Sequence, residues 1–333
     1  MTSLSCALAL LGGVIGAGFA SGREIAHFFS SHGAMAPVAM ALSAITLWCL
    51  FIRLPAQLER SGCAELQSLC RARFGQRFGR LCAALFTLLF AATGGAMLAA
   101  CAELAALTLP IRPAYAVGLV VSLIAGVYLA RRGVSGLMLP GVTLCILLPA
   151  LLIRLCLQPP GEAAFAPAYG ALHAAASGAC YGALNAAMVC GMLPLLLPLG
   201  RSQRIRAVSL FALLFTALLA LGVAVLARHH QAAWGQPLPL VALSRMLGKG
   251  GYYLCAGSMY AAALSTFCAM LTGLSQTGGL WRGALCCLLF AAIGFDGLIA
   301  HAYPVLGWLC AGLMALLCLP LPETKTDAEK VDG

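Results

Sequence analysis

From Leu81 to Leu109 the chain runs for 29 residues with a single charged side chain, Glu103. A helix needs about 20 mainly apolar residues to cross the hydrocarbon of a bilayer. Backbone N–H and C=O groups at that depth must be satisfied inside the protein, which leaves the helix as the natural form for such a run. The pattern repeats along the chain. With charges, prolines and glycines as boundaries, ten candidate spans lie near 5–29, 34–58, 80–109, 113–130, 134–156, 171–199, 206–227, 250–275, 280–299 and 301–320. Composition agrees: the 333 residues are 62% hydrophobic and 9% charged, whereas soluble domains are about half apolar and a quarter charged. A water-soluble globule could not cover itself with so little polar side chain. Soluble enzymes, nucleic-acid binders and disordered proteins are thereby excluded, and the expectation is an all-α polytopic membrane protein with ten transmembrane helices.

The net charge of +10 takes its meaning from topology. With the N-terminus inside, 14 of the 20 basic residues fall on the cytoplasmic side, among them Arg53, Arg60, Arg71, Arg73, Arg77, Arg80, Arg131, Arg201, Arg204 and Arg282. Positively charged loops stay in the cytoplasm, so both termini are expected there, in a bacterial-type cytoplasmic membrane whose anionic lipids are the first partner. Nucleic acid is not an expected partner. Segment 59–79 is amphipathic and basic, which suits an interfacial helix or loop. The first apolar stretch lacks a cationic leader and a cleavage site and is read as a retained span. The 16 cysteines are scattered through apolar runs without a CxxC pair, so they read as small packing residues rather than metal ligands.

Ten spans divide into repeat 1, residues 5–156, and repeat 2, residues 171–320, within one transmembrane domain spanning 1–333; 321–333 form a short cytoplasmic tail. Five spans per half put the halves in the membrane in opposite directions, the arithmetic of an inverted repeat. Glycines fall at matching places. Span 1 carries Gly12, Gly13, Gly16, Gly18 and Gly22 within eleven residues, and span 6 carries Ser177-Gly178-Ala179-Cys180-Tyr181-Gly182-Ala183-Leu184-Asn185. Each glycine weakens a helix by about 1 kcal/mol relative to alanine. Interrupted helices at corresponding positions of two halves point to a transporter binding site, where freed N–H groups hold an anion and freed carbonyls a cation. Small residues four apart also serve close helix packing, and either cluster alone would be ambiguous.

The stretch Gly16-Ala17-Gly18-Phe19-Ala20-Ser21-Gly22-Arg23-Glu24-Ile25, followed by Phe28-Phe29, resembles the first helix of the YkvI-type membrane proteins of the amino acid–polyamine–organocation superfamily. It departs from that pattern at Arg23, where glutamine is expected. The resemblance implies the leucine-transporter (LeuT) fold: a five-plus-five inverted repeat with helices 1 and 6 broken. It further implies a sodium site. Span 8 reads Ala262-x-x-Ser265-Thr266; by resemblance to sodium-coupled members, the ligands would be the Ala262 carbonyl, the Ser265 and Thr266 hydroxyls, and carbonyls near Ile15 and Gly18. Hard neutral oxygens suit such a cation, though hydroxyls of this kind also back-bond to their own helix. Proton-coupled versions often place a lysine of span 5 at that position, and span 5 has none.

The expected function is a secondary active transporter of a small amino acid or related amine, working by alternating access and coupled to sodium, with no cofactor beyond that ion. The alternatives are a proton-coupled transporter and a non-transporting receptor or scaffold of the same fold. An enzyme is not expected, since no HExxH, paired intramembrane carboxylates or Ser/His/Asp set is present. Expected substrate contacts are Gly16, Ala17, Gly18, Phe19, Ser21, Ser177, Tyr181 and Asn185, the last two sharing a helical face. Arg23, Glu24 and Glu103 are gate candidates, with Arg23 paired to either acid; Asp296 reads as a loop residue. Gly94-Gly95 is expected to bring span 3 close to the break. No acidic side chain is expected at the centre of the site, which disfavours a large cationic substrate.

Overall fold

The computed structural model describes residues 2–63, 65–132, 138–161 and 169–319; the tail expected at 321–333 lies outside them. Every regular element among these residues is helical. The first span is split into α1 (Ser3–Val14), α2 (Ala17–Ala20) and α3 (Arg23–Phe28). A 3₁₀ segment, Ser30–Met35, leads into α4 (Ala36–Ser61). Then come α5 (Leu66–Thr108), α6 (Ala114–Arg132) and α7 (Met138–Cys156). The second half opens with α8 (Ala171–Met188), continued by a 3₁₀ segment Cys190–Leu196, and α9 (Arg201–Arg228). Two short helices, α10 (His230–Ala233) and α11 (Pro239–Ser244), precede α12 (Gly248–Gly278) and α13 (Leu280–Ala291). The chain closes with α14 (Phe295–Gly297), a π-helical turn at Leu298–Ala302, and α15 (Tyr303–Cys318).

Six of the described helical stretches are long and apolar enough to cross a membrane: Ser30–Ser61, Leu66–Thr108, Ala114–Arg131, Arg201–Arg228, Pro239–Ser275 and Phe295–Cys318. Large apolar side chains also cover the outside of the bundle, with Ile124, Leu213, Trp281 and Val305 all more than half exposed. A surface of that kind has lipid as its solvent. The protein is thus a helical multi-pass membrane protein. The amphipathic segment forms the first turns of α5 and is set off from the span by Gly75, whose φ of 79° breaks the helical path.

The elements pack in a paired pattern. Helix α5 lies on α6, α12 and α13, while α12 lies on α13 and α6 in turn; α4 lies on α8 and α9, and α9 on α1. At the flanks α7 meets α1, α9 and α12, and α15 meets α8, α4 and α5. Several of these contacts leave no room for a side chain. A Cβ at Gly178 would overlap the Ala39 carbonyl, and one at Gly182 would sit 2.8 Å from the Ser43 carbonyl oxygen. The same holds for Gly94 and Gly95, which face Cys287 and Phe290 of α13 rather than the break in span 1. Span 3 instead reaches the break through Met97, near Gly16.

Candidate binding site at the broken first span

The first span leaves the α-helix twice. At Ile15 the backbone turns to ψ 80°, and Gly16 N–H donates to the Val14 carbonyl instead of continuing the ladder. After one helical turn, α2, the chain turns again at Ser21-Gly22, where Gly22 has φ 80°. Only glycine enters that left-handed region without a steric cost. Ser21 fixes the turn: its hydroxyl donates to the Gly18 carbonyl at 2.9 Å, accepts from Arg23 N–H at 3.1 Å, and its carbonyl accepts from Leu240 N–H of α11 at 2.7 Å. A Cβ on Gly22 would meet the Leu240 side chain at 2.8 Å, so α11 sits directly over the second break.

Span 6 departs from expectation. Ser177 to Asn185 remains within α8, and the interruption comes later, at Val189, where the α-helix passes into the 3₁₀ segment. The glycines read as helix-weakening are packing glycines that seat α8 against the backbone of α4. The helix keeps its Tyr181/Asn185 face intact, and Asn185 Nδ2 donates to the Tyr181 carbonyl at 3.0 Å. Ser177 donates to the Phe28 carbonyl at 3.0 Å, tying α8 to the end of the first span.

The two faces meet at a carboxyl. The αL turn at Gly22 rotates Glu24 inward, where its carboxyl lies against Gly18 so closely that a Cβ there would overlap it. Tyr181 Oη donates to Glu24 Oε2 at 2.7 Å, and the glutamate is 4% exposed. Glu24 is therefore not aligned with Arg23 as a gate, and it puts an acidic side chain at the centre of a site expected to lack one. Arg23 turns the other way and forms an ion pair with Asp296 of α14. Glu103, the other expected partner, is half-buried on α5 and makes no ion pair among the described residues.

Rings enclose Tyr181. Phe28 and Phe29 lie 5.0 and 5.1 Å from it between centroids, Phe215 stacks on it at 6.4 Å, and Phe19 meets Phe215 at 6.0 Å. Tyr303 of α15 and Thr93 of α5, both buried, complete the polar centre. Phe215, Tyr303 and Asp296 were not expected in this role. The Phe211/Phe215 spacing of four, an aromatic pair in mid-span, is the one sequence signal for the first of these.

Of the sodium set, Thr266 approaches the first break: a Cβ on Gly16 would be 3.5 Å from its hydroxyl oxygen. Ser265 donates to the Ala262 carbonyl at 2.9 Å, so two of the expected oxygens touch within α12. Ile15 stands at the break itself, Ala17 opens α2, and the Gly18 carbonyl accepts from Ser21. No known family model and no curated protein matches the chain.

Proposed function

We propose that the protein is a secondary transporter with the leucine-transporter architecture of ten spans in a five-plus-five inverted repeat. In this reading it moves a small amino acid or related amine by alternating access, coupled to sodium, with both termini in the cytoplasm. The observation that carries the reading is the double interruption of the first span at the centre of a helical membrane bundle. Irregular backbone at such depth is tolerated where it serves a polar site.

The packing pattern adds support. Advancing each span by five turns α1–α3 into α8, α4 into α9, α5 into α12, α6 into α13 and α7 into α15. The contact of α4 with α8 then becomes that of α9 with α1, and α15 on α8 becomes α7 on α1. Likewise α13 on α5 becomes α6 on α12, α5 on α6 becomes α12 on α13, and α12 on α7 becomes α5 on α15. An inverted repeat has this property because both halves reuse one packing scheme.

For the ion, the Ala262 carbonyl and the Ser265 and Thr266 hydroxyls offer neutral oxygens beside the break, and a hydroxyl that donates one bond keeps acceptor capacity for a cation. A bound monovalent ion would offset the carbonyl dipoles exposed there. The substrate carboxylate is assigned to backbone around Gly18, Phe19 and Ser21, and the apolar body to Phe19, Phe215 and Tyr181. The amine end has Glu24 within the same centre.

The test compares thermal shifts of the purified protein in sodium, potassium and choline salts, followed by uptake of a labelled amino-acid panel into proteoliposomes. A sodium-specific shift, lost in the double variant Ser265→Ala with Thr266→Ala, and gradient-driven uptake are expected. Equal shifts in all three salts would remove sodium from the reading. Ligand-induced stabilisation without flux would favour a receptor.

A further inference from the structure

Where α4 ends and α9 begins, the bundle holds a cleft of about 960 Å³, closed on one side by Cys318 at the end of α15. Four of its residues, Trp48, Ile52, Ala56 and Arg60, follow at intervals of four along α4 and so share one face. That face is apolar for two turns and cationic at its end. Helix α9 matches it, with Arg201 at its start and Ile205 one turn further in. The deep end is tied across, since Trp48 Nε1 donates to Ser209 Oγ at 3.0 Å. From Trp48 to Arg60 the helix rises about 18 Å, and half of the hydrocarbon core of a bilayer is roughly 15 Å. The cleft therefore has the depth of one lipid leaflet. Trp48 and Ile205 are each 38% exposed, so its apolar wall lies open.

The charged end is out of balance. Arg53, Arg60, Arg201 and Arg204 line the cleft against a single carboxylate, Glu59. Arg204 and Glu59 satisfy each other: the guanidinium pairs with both carboxylate oxygens and donates besides to the Leu196 and Leu199 carbonyls. The other three arginines are exposed, and no carboxylate pairs with them among the described residues. Arg53 and Arg60 lie two turns apart on α4, and Arg201 stands opposite, at the positive end of the α9 dipole, where Gly200 provides no side-chain cap. Three like charges about one opening repel each other, and an anion between them relieves this. Guanidinium forks suit the paired oxygens of a phosphate.

We propose that this cleft binds an anionic phospholipid of the leaflet facing this end of the bundle. Its phosphate is held among Arg53, Arg60 and Arg201, and an acyl chain lies along Trp48, Ile52 and Ile205. A basic pocket between membrane helices attracts such headgroups, and the apolar wall leading from the charges toward mid-membrane selects an amphiphile over a free anion. The chain's own tail is a poorer occupant: it has acids at Glu323, Asp327, Glu329 and Asp332, but beyond Pro322 only Val331 as a large apolar side chain. A lipid seated here bridges α4 and α9 beside the Arg204–Glu59 pair. The site does not depend on the transport reading.

The test titrates the full chain in detergent with dioleoyl phosphatidylglycerol, dioleoyl phosphatidylcholine and inorganic phosphate, read by native mass spectrometry and thermal shift. Phosphatidylglycerol is expected to bind about tenfold more tightly than phosphatidylcholine, with a preference that shrinks as salt is added. The triple variant Arg53→Ala, Arg60→Ala, Arg201→Ala should lose that preference. Arg77→Ala with Arg80→Ala and Arg206→Ala, which removes equal charge from exposed arginines outside the cleft, should keep it. Equal loss in both would reduce the effect to diffuse surface charge and overturn the site. Inorganic phosphate that displaces the lipid at equal concentration would make it a soluble-anion site. A full-chain variant with Glu323→Gln, Asp327→Asn, Glu329→Gln and Asp332→Asn should bind the lipid as the wild type does; a rise of about tenfold in affinity would make the tail the occupant and overturn the lipid assignment. Wild-type protein cross-linked with phosphatidylglycerol carrying a photoreactive acyl chain gives a readout independent of variant folding. Adducts are expected within 48–56 and 205–209, and adducts confined to other helices overturn the proposal.

Discussion

Two glycines show how much one methyl group weighs here. At Gly178 an added methyl would collide with backbone, the Ala39 carbonyl of α4, which cannot swing aside. Overpacking of this kind costs about 1–3 kcal/mol, so Gly178→Ala is expected to lower the unfolding temperature measurably. At Gly18 the obstacle is the Glu24 carboxyl, the mobile end of a side chain. Gly18→Ala is expected to fold, with a small stability change, while displacing Glu24 from Tyr181 and weakening ligand-induced stabilisation at least tenfold in apparent affinity, the equivalent of about 1.4 kcal/mol and within the worth of a hydrogen bond to a charged group. Gly250→Ala, where an added methyl meets nothing within 4 Å, is the control for both. Equal behaviour of all three in thermal melts would contradict the packing described.

At the level of elements, the Arg23–Asp296 pair joins the outer piece of the first span to α14. The two side chains are 22% and 52% exposed, so solvent and salt screen the attraction. A double-mutant cycle with Arg23→Ala and Asp296→Ala should give a coupling energy below about 1 kcal/mol that shrinks as salt is added. A coupling well above that, insensitive to salt, would mean the pair is sealed from water. The sequence makes the elements themselves legible, because uncharged apolar runs long enough to span a bilayer have few alternatives. The first break is legible too, since five glycines within eleven residues have no continuous-helix purpose that would require them all. What could not be read is the purpose of a glycine whose partner is distant in sequence. Gly178 and Gly182 look like helix weakeners until Ala39 and Ser43 are placed beside them, and then they are contact points. The direction of Glu24 was hidden for a similar reason: it follows from one left-handed residue, Gly22, and ideal helical spacing would have pointed it elsewhere.

Across the whole molecule, the asymmetry of Lys and Arg is a statement about sidedness that a reporter can read. Fusions of a periplasm-dependent and a cytoplasm-dependent reporter at Thr2 and after Leu319 should both score as cytoplasmic, and one at Gln236, between α10 and α11, should score as external. An external signal at either end would reverse or abolish the proposed inverted arrangement. The end of the bundle that carries Arg201, Arg204 and Arg206 is also tied to itself. The Arg204 guanidinium pairs with Glu59 of α4 and donates to the Leu196 and Leu199 carbonyls, so a cation closes the end of the 3₁₀ continuation of α8.

Spans 1 and 6 are therefore held in different ways. Span 6 is clamped at one end by a guanidinium and pressed along its length into the backbone of α4, with its one irregularity near the clamp. Span 1 is jointed twice and anchored at its second joint by the hydrogen bonds of Ser21. In mechanical terms span 6 is a braced arm and span 1 an articulated one. In the proposed transporter, movement would then be taken up at the joints of span 1, a division of labour set by the backbone itself before any ligand arrives.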